Sequence, residues 1–132
     1  MAGRVYELRL SLQLSALLGE WSIVADLVPQ ARALASRACA PPLSWTADWA
    51  EAVQRAASGH GEDAVTRATR AARAMERHGE PYTAARLLAD LLPFLDGDLR
   101  APLAEHVAAR LDAMGASTSA KEAAEAADRT AS

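Results

Sequence analysis

Apolar residues return every three or four positions along most of this chain, in segments separated by glycine and proline. Trp21, Val24, Val28 and Ala31 form one such stripe, and Trp45, Trp49, Ala52, Val53 and Ala56 form another. Ala64, Ala68, Ala71 and Met75 make a third, and Leu103, Val107, Leu111 and Met114 a fourth. The spacing predicts helices over residues 6–18, 21–37, 44–58 with Ser44 as N-cap, 62–77, and 82–92 behind Pro81. A sixth begins near Pro102. A last, 119–127, opens on the capping box Ser119-Ala120-Lys121-Glu122.

One stretch has the wrong period for this scheme. Leu8, Leu10, Leu12 and Leu14 alternate with polar residues, as in a half-buried strand. The run continues into Ser15-Ala16-Leu17-Leu18, and no partner strand is evident, so helix is the better reading. On a helix Leu8 and Leu12 face one way, and Leu10, Leu14 and Leu17 face another. A helix apolar on two sides expects neighbours on two sides. The second set is therefore a candidate self-association surface, a homodimer through the first helix, unless a continuation of the array covers it. Pro29 and Pro93, near or inside helices, are expected to kink or end them.

The breaks repeat. Gly19, Gly59 and Gly97 each close one helical run and precede another, at spacings near 40 residues. Ala40-Pro41-Pro42, His78-Gly79-Glu80-Pro81 and Gly115-Ala116 form a second series about half a period away. Two interleaved series at one spacing predict helix–turn–helix units repeated about three times. The fold class expected is all-α: an α-solenoid of about three stacked antiparallel hairpins over residues 1–116. Residues 117–132 supply a capping helix and a frayed tail.

Composition agrees. Hydrophobic residues are 51% of the chain but aromatics only 5%, and alanine fills the difference, which favours closely packed helices over sheet. Lys121 is the only lysine among 14 basic residues, a bias that points to a GC-rich bacterial genome. The net charge of −3 weighs against a dedicated nucleic-acid binder. A single cysteine, Cys39, excludes an internal disulfide and fits the cytoplasm. Glu7, Arg9 and Gln13 interrupt the leucine-rich start, so it does not read as a signal peptide. No apolar run approaches the ~18 residues of a membrane span.

Val24, Val28 and Ala31, and again Ala64, Ala68 and Ala71, show intervals of four and three starting five residues after a glycine. In this the chain resembles tetratricopeptide repeats, whose second helices carry small residues at that spacing. Trp21 stands where that family places an aromatic. The third unit departs, with Pro102 and His106 in the first two places, and the first helices lack the family's Trp-Leu-Gly-Tyr series. A narrower segment, with Glu76-Arg77-His78-Gly79-Glu80-Pro81-Tyr82, Ala84-Ala85-Arg86 and Ala113-Met114-Gly115-Ala116, is similar to the repeat-rich region of large bacterial signalling ATPases. Those are coupled to LuxR-type or nucleotide-cyclase domains. No Gly-x-x-x-x-Gly-Lys loop accompanies it here. The resemblance implies a sensory or scaffolding segment.

Candidate chemistry is sparse. His60, His78 and His106 form no ligand set with nearby carboxylates, and no nucleophile elbow occurs, so neither enzyme, cofactor nor metal is expected. Arg67, Arg70, Arg73 and Arg77 line one face of the fourth helix, as a solvated face, a dock for an acidic protein, or a nucleic-acid contact. Trp45 and Trp49 either fill the core or line a groove. By the family's architecture, Asp48, Tyr82 and Arg86 would complete that groove's floor. The function expected is protein–protein interaction or scaffolding in a bacterial signalling or transcription-regulatory system. The alternative is a nucleic-acid-associated regulator using the arginine face.

Overall fold

The computed structural model describes residues 2–115. Among them lie six α-helices and no strand: α1 (Ala2–Leu17), α2 (Trp21–Arg37), α3 (Pro41–Ala57), α4 (Gly61–Arg77), α5 (Pro81–Leu91) and α6 (Gly97–Ala113). A short 3-10 turn, Leu92–Phe94, separates the last two. The capping helix predicted over 119–127 lies outside the described residues.

The helices are metered by their C-terminal turns. Gly19, Cys39, Gly59 and Gly79 all have positive φ, and each follows the one before by twenty residues. In each turn the amide one residue later donates to a carbonyl five residues back: Glu20 to Ser15, Ala40 to Ala35, His60 to Arg55 and Glu80 to Met75, at 2.8–2.9 Å. This bond marks a Schellman turn, which satisfies carbonyls that a helix end would otherwise leave unpaired. Seventeen helical residues and three turn residues thus make one unit. Pro93 ends that register: α5 stops at Leu91 and tightens into the 3-10 turn.

Two local expectations differ from what is observed, and for a third, Pro29, one of its two alternatives drops out. Ser44 is not an N-cap, because α3 already starts at Pro41, whose fixed φ suits a first helical position. Gly97 closes no helix: it is the first residue of α6, so that helix begins five residues before Pro102. Pro29 ends nothing, since α2 runs through it to Arg37. The carbonyls that Pro29 and Pro102 leave unbonded belong to Ala25 and Asp98, both at exposed positions where water can serve.

Packing follows chain order, each helix lying on the next, and α1 also touches α3, α3 touches α5, and α4 touches α6. The central α3 is the most enclosed, with Leu43, Thr46, Ala47, Trp49, Ala50, Ala52 and Val53 all at most 1% exposed. Val24, Ala31, Ala64, Ala68 and Ala71 are buried, and Val28 is partly so. Small side chains at those contacts let helix axes approach closely. Two side-chain contacts also join non-consecutive elements. Trp21 meets Phe94 edge-on at 6.2 Å, and Leu99 lies so close to Gly61 that a Cβ there would sit 2.6 Å from it.

Candidate interaction surfaces

Trp49 belongs to the core. It is 1% exposed, and its indole nitrogen donates to the Leu87 carbonyl of α5 at 2.8 Å. A residue so enclosed offers nothing to a partner, so of its two readings the packing one holds. Asp48 turns to α2, where Arg32 bridges it at 2.8 Å and also binds Glu51. Burial would lower the Arg32 pKa, but these two carboxylates outweigh it and the net shift is upward. Trp45, partly buried, stacks edge-on against His78 at 5.1 Å. Tyr82 is exposed at the start of α5. Arg86 acts on Asp90, whose pKa burial raises and Arg86 partly restores. Of the five, Trp49 is withdrawn into the core, while Asp48, Trp45 and Arg86 each face a partner of their own, Arg32, His78 and Asp90.

The arginine face divides. Arg67 pairs with Asp63 at 3.0 Å, and Asp63 also takes Arg55 of α3 at 3.2 Å. Arg70, Arg73 and Arg77 are exposed and, with Thr66, occupy one helical stripe at intervals of four, three and four. They line a shallow depression of about 430 Å³ with Val65, Thr66 and Thr69. Beside it Arg110 of α6 reaches across to Glu76 at 2.8 Å.

On α1 the two leucine faces separate as the helical reading expects. Leu8, Leu12 and Ala16 are at most 2% exposed, whereas Tyr6, Leu10, Leu14 and Leu17 are 40–67% exposed on the opposite side. Leu18 and Ile23 extend that apolar surface around the first turn. No residue among those described covers it.

Tertiary packing also builds a site with no local signal in the sequence. The starts of α4 and α6 converge so that His60, Glu62, Asp63, Asp96 and Asp98 border an open depression of about 530 Å³. Residues 36 apart in sequence meet there. No group of three or more metal-ligating side chains forms there or elsewhere among the described residues. Nor is any described helix long and apolar enough to cross a membrane. The chain matches no family model, no curated protein and no solved structure.

Proposed function

We propose that this chain is a non-catalytic protein-interaction or scaffold module. In this reading α1–α2, α3–α4 and α5–α6 are antiparallel hairpins stacked as a tetratricopeptide-like α-solenoid. It serves a bacterial signalling or transcription-regulatory system. The twenty-residue register and the packing of each helix on the next support the repeat, and the Trp21–Phe94 contact makes it a tightly wound one, its first hairpin reaching the third.

The exposed stripe of Tyr6, Leu10, Leu14 and Leu17 carries the reading. Large apolar side chains gathered along one helix favour association, because each forgoes part of the ~1.5–3 kcal/mol that full burial yields. The binding face is thus an apolar protein surface, and its first occupant is a second copy of this chain, paired through α1. Light scattering across a concentration series tests this. The expected result is a dimer that becomes a monomer when Leu10 and Leu14 are both changed to Gln. A wild-type chain that stays monomeric throughout overturns the homodimer.

A further inference from the structure

We infer that Arg70, Arg73 and Arg77 form a dock for an acidic helical segment of another protein, one that presents carboxylates a turn apart. The inference concerns α4 alone and does not depend on pairing through α1.

These arginines differ from most others in the fold. Arg4, Arg32, Arg55, Arg67, Arg100 and Arg110 are held by hydrogen bonds or ion pairs, and Arg86 is also engaged. Arg70, Arg73 and Arg77 have no such partner among the described residues, a condition they share only with Arg9 and Arg37. The carboxylates nearest on their own helix are already taken. Asp63 is held by Arg55 and Arg67, and Glu76 by Arg110. So three guanidinium groups stand in line with no ion-pair partner among the described residues.

Their spacing favours one class of anion. Rises of about 4.5 and 6 Å along the α4 axis separate the three. Acidic residues at i, i+3 and i+7 of a second helix have the same rises, and each guanidinium can bind a carboxylate through two parallel hydrogen bonds. A nucleic-acid strand fits less well, because its charge continues beyond the strip. Towards the start of α4 the same stripe passes through Thr66 to Glu62, and the acidic depression with Asp63, Asp96 and Asp98 follows. A continuing polyanion meets like charge there, while a short acidic segment stops before it. None of the residues lining the arginine depression is aromatic, so bases have nothing to stack on.

Fluorescence anisotropy with the full chain tests this. The probe is a labelled alanine-based helical peptide with Glu at i, i+3 and i+7. Comparison probes are the same peptide with three adjacent Glu residues and a twenty-nucleotide oligo-dT. The spaced peptide should bind several-fold more tightly than the adjacent one, and more tightly than oligo-dT at equal salt. Changing Arg70, Arg73 and Arg77 together to Gln should weaken binding at least tenfold without altering the thermal melt. Arg9→Gln with Arg37→Gln should leave binding as it was, and so should the Leu10 and Leu14 double change, which separates this site from the α1 surface. Tighter binding of oligo-dT, equal binding of the two peptides, or undiminished affinity in the triple variant overturns the inference.

Discussion

The indole nitrogen of Trp49 donates to the main-chain carbonyl of Leu87 at 2.8 Å, joining α3 to α5 across 38 residues of sequence. The bond is buried, and the ring it belongs to is enclosed at the centre of the fold. Trp49→Ala should cost about 3–5 kcal/mol, the usual range for emptying a buried aromatic site. Trp49→Phe keeps most of the packing but loses the donor and some volume, so roughly 1–3 kcal/mol is expected. Chemical denaturation of both variants checks the order. A tryptophan that served only a binding groove would leave stability unchanged.

Cys39 occupies, with φ of 50°, the turn position that Gly19, Gly59 and Gly79 fill in the neighbouring units. A non-glycine residue in this left-handed region pays about 1–2 kcal/mol, whereas glycine raises unfolded-chain entropy by only ~0.4–1 kcal/mol. Cys39→Gly should therefore stabilise the protein, by about 0.5–1 kcal/mol on these figures. The reciprocal change, Gly59→Ala, should destabilise it by about 0.5–1 kcal/mol on the same figures. At that site φ is 87° and an added Cβ meets no atom within 4 Å, so the effect is purely of the backbone. Thermal melts of the two variants should move in opposite directions.

Asp90 has its pKa raised by burial, with Arg86 only partly offsetting the shift. The folded state then holds the proton more tightly than the unfolded chain, so this group's contribution to stability is present at low pH. It is lost as pH rises through the folded pKa. Asp90→Asn removes the charged form. The variant should gain stability relative to wild type at neutral pH, and that advantage should shrink as pH falls through the folded pKa. Denaturation at a series of pH values measures it. An advantage that stays constant or grows in acid contradicts burial as the cause.

What the sequence determined by itself is the helical content and its approximate metering. Apolar residues at 3.6 periodicity can be buried only if the segment is helical, and glycine is the residue best able to turn left-handed at a helix end. Both are local facts. The same local logic gave the two faces of α1, since helical geometry puts Leu8 and Leu12 opposite Leu10 and Leu14 wherever the helix lies. Even so the metering was only partly visible, because Cys39 holds a glycine's place and Gly97 does not.

Tertiary structure alone decided which neighbour each side chain meets. Nothing local distinguishes a groove tryptophan from a core one, and Trp49 became core because α5 brought the Leu87 carbonyl within reach. Arg67 pairs one turn back with Asp63 on its own helix, and it is the packing of α3 that adds Arg55 to the same carboxylate. The acidic depression needed α6 to carry Asp96 and Asp98 to the start of α4. Periodicity fixes the direction in which a side chain leaves its own helix. The partner it finds depends on how separate helices pack, and that is set by all their surfaces together.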